Sequence, residues 1–229
     1  MGVPLAGEQL EKLLSYYEML AEANRYMNLT AIDDLDGVIT RHFLDSFGPL
    51  SINKLSEILR TPKRTLIDVG TGAGFPGLPL AIALPELQVT LLDSLGKRTG
   101  FLDEVIEKLG LSNARTVTGR AEDFAKPGEC REVFDLAVSR AVADLAVLCE
   151  YDLPFVKTGG HFLAYKAKGA SEEVTRAGNA LQILGGKAEV FSYSVPETDL
   201  SHTIVAIEKT EPSPEKYPRR AGIPAKRPL

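Results

Sequence analysis

Residues 65–79 constrain the fold of this chain more than any other stretch. An apolar run is followed by glycines at three alternate positions, then by a proline and a second apolar run; the glycines are Gly70, Gly72 and Gly74. This order predicts a buried strand, a tight turn and a short helix. Glycine suits the turn because it adopts positive φ and has no Cβ to keep a ligand away from the backbone. Such a turn on its own is compatible with a nucleotide-type ligand and equally with tight packing alone.

Two acidic residues accompany the turn. Asp93 ends a second predicted strand about 20 residues beyond the glycines, where ribose hydroxyls are usually held. Asp68 lies just before the first glycine, where a pyrophosphate would come close in a dinucleotide site. An acid there suits a positively charged ligand without phosphate, such as S-adenosylmethionine, unless Asp68 only caps the turn. The combination favours a methyltransferase.

The composition of the whole chain is that of an ordinary globular protein, with 229 residues, 44% of them hydrophobic and 25% charged. No apolar run approaches the roughly 18 residues of a membrane span, and the N-terminus lacks the basic-then-apolar pattern of a signal peptide. Cys130 and Cys149 have no metal-type spacing and cannot form a disulfide framework. We therefore expect a cytoplasmic protein with neither metal nor membrane anchor.

Charge is unevenly distributed along the chain. The net charge of −5 argues against a general nucleic-acid binder. Residues 216–229 nevertheless carry only basic charges, on Lys216, Arg219, Arg220, Lys226 and Arg227. This tail could form a local phosphate-binding patch, or it could be a solvated terminus.

Alternation of strand and helix patterns after residue 64 predicts a mainly parallel sheet with helices on both faces. The last two predicted strands are separated by too few residues for a helical crossover, so they should pair antiparallel. We therefore predict an α/β fold with a doubly wound, seven-stranded sheet ending in an antiparallel hairpin, the Rossmann-like architecture of class I methyltransferases. The predicted boundaries are a helical N-terminal cap at 1–60, the methyltransferase domain at 61–210 and the basic C-terminal tail at 211–229.

In doubly wound sheets, ligands bind outside the carboxyl ends of the strands. The glycines would then pass under the methionine part of the donor and Asp93 would hold its ribose. Ala121 and Glu122 would lie against the adenine, although Glu122 could equally be a helix-start acid. Arg140 follows an apolar strand at the pocket mouth, where it could hold the donor's carboxylate or a phosphate or guanine edge, or simply pair with Asp144.

Some expected motifs are missing from the sequence. The segment after the fourth strand, Ser-Arg-Ala-Val at 139–142, is not the Asn/Asp-Pro-Pro-aromatic loop of amino-group methyltransferases. Cys149 falls inside an apolar helix, where an inert thiol is expected rather than a nucleophile. No His/Glu pair is placed as a general base, and a target such as guanine N7 would need none because it has no proton to lose.

Six motifs together resemble the RsmG family, also known as the glucose-inhibited division protein B family. They are Asn-Leu-Thr-Ala-Ile at 28–32, Arg-His-Phe-Leu-Asp-Ser at 41–46, Asp-Val-Gly-Thr-Gly-Ala-Gly-Phe-Pro-Gly at 68–77, Gly-Arg-Ala-Glu at 119–122, Ser-Arg-Ala at 139–141 and Arg-Arg-Ala-Gly-Ile-Pro at 219–224. The resemblance implies an S-adenosylmethionine-dependent methyltransferase that modifies a guanine at N7 in 16S, small-subunit, ribosomal RNA. The alternatives are a non-catalytic RNA-binding or ribosome-assembly factor and a nucleotide-dependent oxidoreductase.

The resemblance also implies roles for individual residues. Besides Asp68, Gly72 and Gly74, which the turn itself indicates, the implied donor contacts are Gly70, Phe75, Asp93, Ser94, Leu95, Ala121, Glu122 and Arg140, with Arg140 as the catalytic residue. The candidate RNA contacts are Arg41, Lys97, Arg98, Lys166, Lys168, Arg219, Arg220, Lys226 and Arg227. His42 is ambiguous between a satisfied helix histidine and a substrate contact. The expected partner is 16S RNA or the small ribosomal subunit, and the protein is expected to be a monomer.

Overall fold

The computed structural model describes residues 3–167, 169–196 and 198–229. These residues form an α/β fold around a seven-stranded sheet with the strand order β3-β2-β1-β4-β5-β7-β6. The strands are β1 (Thr65–Val69), β2 (Gln88–Asp93), β3 (Ala114–Thr118), β4 (Phe134–Arg140), β5 (Val156–Lys166), β6 (Gly186–Ser194) and β7 (Ser201–Lys209).

The helices precede and connect these strands. They are α1 (Gly7–Met27), α2 (Leu35–Val38), α3 (Asn53–Arg60), α4 (Gly77–Ala83), α5 (Gly96–Leu109), α6 (Ala121–Phe124), α7 (Leu145–Asp152), α8 (Ala170–Arg176), α9 (Gly178–Leu184) and α10 (Ile223–Lys226). A π-helical turn, Ile39–Leu44, continues α2, and 3₁₀ turns occupy Gly48–Ser51 and Leu153–Phe155. No helix within the described ranges has the length and hydrophobicity required to cross a lipid bilayer.

The predicted sheet is confirmed. Strands β1 to β5 pair in parallel, while β7 runs antiparallel to both β5 and β6. The chain proceeds from β1 through β2 to β3 on one side and then crosses to β4 on the other. The crevice of a doubly wound sheet opens where the strand order reverses in this way, here between β1 and β4.

Apolar side chains alternate between the two faces of β1 and define two core layers. Leu66 packs on the face covered by α1, α4 and α5, whereas Ile67 packs on the face covered by α7 and α9. Both side chains are buried because helices cover both sides of a parallel sheet. The helices therefore hold the carboxyl ends of the central strands in a fixed position.

The helix α1 and the C-terminal segment both pack on this body. In α1, the fully buried Tyr16 donates a hydrogen bond to the carbonyl of Ala73. At the other end, the Arg131 guanidinium donates to the carbonyls of Ser213 and Tyr217, at 2.6 and 2.7 Å, and the Tyr217 ring is buried. Residues 211–229 thus lie against the sheet domain.

Local contacts set two helix boundaries. The helix α7 begins at Leu145 because the Asp144 carboxylate accepts a hydrogen bond from the amide of Ala146 and caps it. The helices α8 and α9 are separated at Ala177, whose ψ of 2° departs from helical geometry.

Candidate active site

A cavity of about 520 Å³ opens at the carboxyl ends of β1, β2 and β4. The predicted donor contacts that line it are Gly70, Gly72, Phe75, Asp93, Ser94, Ala121, Glu122 and Arg140. Asp68, Gly74 and Leu95 lie outside its wall. The cavity therefore gathers most of the residues that the sequence placed at one site, and the three exceptions have other roles.

The backbone of the glycine turn faces this cavity. Gly70 and Gly72 have φ of +74° and +61°, a region that side-chain-bearing residues adopt only with strain. A Cβ added to Gly70 would lie 2.9 Å from Val142 Cγ2. At Gly72 the nearest described atom to such a Cβ would be the Gly70 oxygen at 4.0 Å, so the methyl would project into the cavity. This turn is a cradle that a side chain would fill.

Gly74 and Asp68 lie on the side of the turn that packs against the rest of the protein. A Cβ on Gly74 would collide with Tyr16 Oη at 2.6 Å and Leu102 Cδ2 at 2.7 Å, so this glycine permits tight packing and does not face the cavity. Asp68 is fully buried; its Oδ2 accepts hydrogen bonds from Thr71 Oγ1 (2.7 Å) and the Gly77 amide (2.8 Å). The carboxylate thus joins the turn to the start of α4, as the turn-capping alternative describes.

Burial affects both the hydrogen bonding and the pKa of Asp68. Its Oδ1 has no hydrogen-bond partner among the described residues. Burial raises the pKa of this carboxyl from 3.8 to about 6, against the opposing hydrogen bonds from Thr71 and Gly77. Asp68 does not line the cavity, so this structure gives no support for the direct contact with a cationic donor that its sequence position suggested.

Asp93 lies in the wall of the cavity at the end of β2. Its Oδ1 accepts from the Leu95 amide at 2.9 Å, and its Oδ2 accepts from the Gly72 amide at 3.0 Å and from Arg98 Nη1 at 3.2 Å. Because two carboxylate oxygens offer about four acceptor positions, capacity remains for a hydroxyl in the cavity. Arg98 was expected at an RNA-binding rim, but it lines this cavity and pairs with Asp93.

The position of Glu122 is compatible with both alternatives that the sequence left open. It lies in the first turn of α6, where an acid is favoured by the helix dipole, and it also lines the cavity. Its Oε1 accepts a hydrogen bond from the Gly222 amide at 3.1 Å, and the side chain is 5% exposed. The C-terminal segment therefore contacts the cavity wall through this carboxylate.

Arg140 is held at the end of β4 by three groups from the N-terminal segment. Its Nη1 donates to Asp45 Oδ2 at 2.7 Å and to the Arg41 carbonyl at 3.1 Å, while Nη2 lies 3.2 Å from His42 Nδ1. The guanidinium also lies 5.3 Å from the centre of the Phe75 ring, a cation–π distance. Its orientation is thus fixed before any ligand binds.

The proposed pairing of Arg140 with Asp144 is wrong. Asp144 instead caps α7 and forms an ion pair with Arg176 at 3.0 Å. Between the two residues, Ala141 adopts φ of +57°, and the chain turns so that Arg140 faces Asp45. Local sequence spacing could not reveal a partner 95 positions away.

His42 forms part of the cavity wall, which sequence reasoning left undecided. Its ring stacks on Phe75 with centroids 4.4 Å apart, and its Nε2 lies 2.9 Å from Thr30 Oγ1. Burial and then the charge of Arg140 lower the pKa of His42 from 6.5 to about 4, so the ring is neutral at pH 7. Nδ1 has two neighbours of opposite character, because Arg140 Nη2 can only donate to it, whereas the Arg41 carbonyl, 3.1 Å away, can only accept.

Thr30, Leu29 and Tyr151 also line the cavity, and no site role was evident for them from the sequence. Thr30 and Leu29 belong to the motif at 28–32, which was the available signal for them. Tyr151 lies in the apolar helix α7, where nothing in the sequence distinguishes it from a core residue.

The expected RNA contacts have different environments. Lys166 Nζ lies 2.7 Å from Glu173 and 2.8 Å from the Ala143 carbonyl, and Arg219 pairs with Glu150 at 2.6 Å, so both are engaged within the protein. The other expected RNA contacts on the surface are exposed to solvent; they are Arg41, Lys97, Arg220, Lys226 and Arg227. Lys168 lies outside the described residues.

The structure also bears on metal and thiol chemistry. Residues 3–167, 169–196 and 198–229 contain no group of three His, Cys, Asp or Glu side chains that could hold a metal ion. Cys149 is fully buried in α7, and burial raises its pKa far above the ordinary value, so the thiol is inert as the sequence predicted.

A family model described as rRNA small subunit methyltransferase G, GidB, matches residues 9–200 of the chain. The chain belongs to this family. The sequence-based identification with the RsmG family is therefore confirmed.

Curated members of the rRNA small subunit methyltransferase G family match along the whole chain. The protein from Acetivibrio thermocellus is 48% identical over 229 residues, covering 100% of this chain and 92% of the relative. The protein from Lachnoclostridium phytofermentans is 49% identical over 230 residues, covering 100% and 93%. Both carry the name ribosomal RNA small subunit methyltransferase G.

Solved structures with low sequence identity share the fold of this family member. A SAM-dependent methyltransferase from Aquifex aeolicus has a TM-score of 0.54 at 19% identity, covering 79% of this chain and 96% of its own. TYW2 from M. jannaschii, solved in complex with AdoMet, has a TM-score of 0.53 at 15% identity, covering 69% and 75%. These likenesses support the Rossmann-like methyltransferase fold.

Proposed function

We propose that this protein transfers a methyl group from S-adenosylmethionine to N7 of a guanine in 16S ribosomal RNA. Membership of the rRNA small subunit methyltransferase G family supports the reaction class and the RNA substrate. The structural observation that carries the proposal is the cavity beside Gly70, Gly72 and Asp93, at the carboxyl ends of the central strands. We further infer a cytoplasmic monomer acting on the RNA or on the small ribosomal subunit.

The residues of the cavity fit the donor. The open backbone at Gly72 allows close approach of an amino-acid moiety, and Asp93 keeps acceptor capacity for ribose hydroxyls. Ala121 and Glu122, at the start of α6, would lie against the adenine. The donor, when bound, supplies a methyl group on a positively charged sulfur.

A general base is not required for this reaction, since guanine N7 attacks with a lone pair and loses no proton. The cavity wall is consistent with a reaction that uses no general base. The two ring nitrogens of His42 lie within hydrogen-bond distance of Thr30 and Arg140. The Asp93 carboxylate accepts hydrogen bonds from Gly72, Leu95 and Arg98. The protein would then accelerate transfer by aligning the acceptor with the donor and by excluding water. Arg140, fixed at the mouth, is the residue we assign to orient the acceptor.

The test is incubation of the protein with labelled donor and undermodified small-subunit RNA or particles. We expect label in 7-methylguanosine after nucleoside analysis. Label on another atom would reject the chemistry. Calorimetry separates the alternative: no heat with S-adenosylmethionine while RNA association stays intact would favour the non-catalytic RNA-binding or assembly factor.

A further inference from the structure

A second cavity, of about 390 Å³, adjoins the first across Arg140. The two cavities share the residues His42, Arg140 and Ala141. Part of the remaining wall comes from the segments that carry His42 and Ala141, through Arg41, Asp45 and Ala143. The rest comes from elements that do not touch the first cavity: the end of β5 with Tyr165, and the hairpin β6–β7 with Tyr193 and His202. The antiparallel end of the sheet therefore helps to form a pocket beside the donor cavity.

We propose that this second cavity receives the methyl-acceptor base, a purine of unpaired RNA turned out of its stack. The inference rests on the proposed function and deepens it, because it names the surface that the acceptor occupies while the first cavity holds the donor. Enzymes that modify bases take the target out of the helix into a pocket next to the reactive group.

The planar side chains of the second cavity are fixed in place. Tyr165 Oη donates to the Ser46 carbonyl at 2.8 Å, while Tyr193 and His202 both donate to the Asp45 carboxylate. Tyr165 and Tyr193 are buried and form a rigid floor, whereas the His202 ring is half-buried and is the ring of this set with exposed surface for stacking against an unpaired RNA base.

Charge on this side also suits a nucleotide. Asp45 is neutralised by Arg140, and Lys166 by Glu173. Arg41 lies exposed in the lining, and no ion pair joins its side chain to an acid of the described residues. A cation at the rim fits the phosphates that flank a base drawn into the pocket.

The junction of the two cavities is conformationally strained. Ala141, which lines both, has φ of +57°, a left-handed conformation that is unfavourable for a residue with a Cβ. Strained backbone of this kind is concentrated at functional sites, where the surrounding structure holds it. Here it places Arg140 between the two cavities.

The test fills the second cavity without touching the first. Ala143 is half-buried and lines the second cavity alone, so Ala143→Phe and the smaller Ala143→Leu narrow it. Ala21→Phe is the matched control, because Ala21 is a half-buried alanine on α1 that belongs to neither lining. For each protein, donor binding is measured by calorimetry, and kcat and KM for undermodified small-subunit RNA are measured with labelled donor.

We expect both Ala143 variants to keep the donor Kd within about twofold while kcat/KM for RNA falls about tenfold or more, with the Phe variant worse than the Leu variant. Transfer equal to that of the wild type and the Ala21 control would overturn the proposal, and so would a parallel loss of donor binding in both Ala143 variants. Absence of transfer by the wild-type protein would instead remove the proposed function, and this inference with it.

Discussion

Asp45 and Arg140 form an ion pair, with 2.7 Å between Oδ2 and Nη1, that joins the N-terminal segment to the end of β4. The same carboxylate accepts hydrogen bonds from Tyr193 and His202 on the hairpin β6–β7. Burial alone would raise the pKa of Asp45, but the Arg140 charge and these hydrogen bonds outweigh it, so the pKa lies below its ordinary value. One buried carboxylate thus holds three parts of the chain around the candidate site.

Breaking this pair should destabilise the fold and impair transfer together. We expect Asp45→Asn and Arg140→Gln each to lower the free energy of unfolding by roughly 3 kcal/mol, because each leaves a buried charge without its partner. The double variant should lose less than the sum, with a coupling energy of about 1–3 kcal/mol in urea unfolding.

The control for this cycle is Asp123→Asn, which breaks an exposed pair with Lys126 and should cost less than about 1 kcal/mol. Strict additivity of Asp45→Asn and Arg140→Gln would show that the two side chains do not stabilise each other.

Replacing Gly72 should separate the donor site from backbone strain. Gly72 and Gly110 have the same φ of +61°, but Gly72 lines the donor cavity whereas Gly110 ends α5, with no described atom within 4 Å of an added Cβ. Alanine at either position should therefore cost about 1–2 kcal/mol of stability.

Only Gly72→Ala should weaken S-adenosylmethionine binding, by roughly tenfold or about 1.4 kcal/mol, because its methyl group enters the cavity. Calorimetry with both variants distinguishes the two effects. Equal donor affinities would mean that this turn does not contact the donor.

Much of the architecture followed from local patterns in the sequence. The turn at Gly70 and Gly72, the acid at Asp93 and the short connection between the last two strands are each features of neighbouring residues, and together they indicate the fold class and the place of the cavity. Hydrophobic periodicity and turn chemistry act over such short ranges, which is why they can be interpreted without a structure.

The partners of charged residues could not be predicted in the same way. Asp45 meets Arg140 across 95 positions and Glu150 meets Arg219 across 69, contacts that exist only once the sheet is assembled. Asp68 shows the same limit: its sequence position suggested a ligand contact, whereas burial beneath the turn directs its carboxylate to Thr71 and Gly77.

His42 should make stability depend on pH. Its pKa is lowered to about 4 in the folded protein, so below pH 6.5 the unfolded chain binds a proton that the folded chain does not. This contribution is present above pH 6.5 and is lost as the pH falls towards 4.

We expect the free energy of unfolding of His42→Gln, which lacks this group, to fall less steeply over the window from pH 6.5 to 4 than that of the wild type. Urea unfolding at pH 7, 5.5 and 4 measures both. A difference between the two proteins that stays constant over these three pH values would show that the imidazole titrates normally in the fold.

The basic tail should divide into a structural arginine and exposed cations. Arg219 donates to the fully buried Glu150 carboxylate through Nε at 2.9 Å and Nη2 at 2.6 Å, whereas the adjacent Arg220 is exposed. Arg219→Gln should therefore lower the free energy of unfolding by about 3 kcal/mol, since it leaves a buried carboxylate unpaired. Arg220→Gln, the matched control, should change it by less than about 0.5 kcal/mol.

RNA binding should depend on the exposed cations of the tail and not on Arg219. Neutralising the exposed Arg220, Lys226 and Arg227 together should reduce the slope of log K for small-subunit RNA against log salt, by about 0.7 for each phosphate that the tail no longer neutralises. Arg219→Gln should leave this slope unchanged, provided that binding is measured where the variant is folded. If the triple variant kept the wild-type slope, the tail would have a purely structural role, because cations that bind phosphates release counterions when the complex forms.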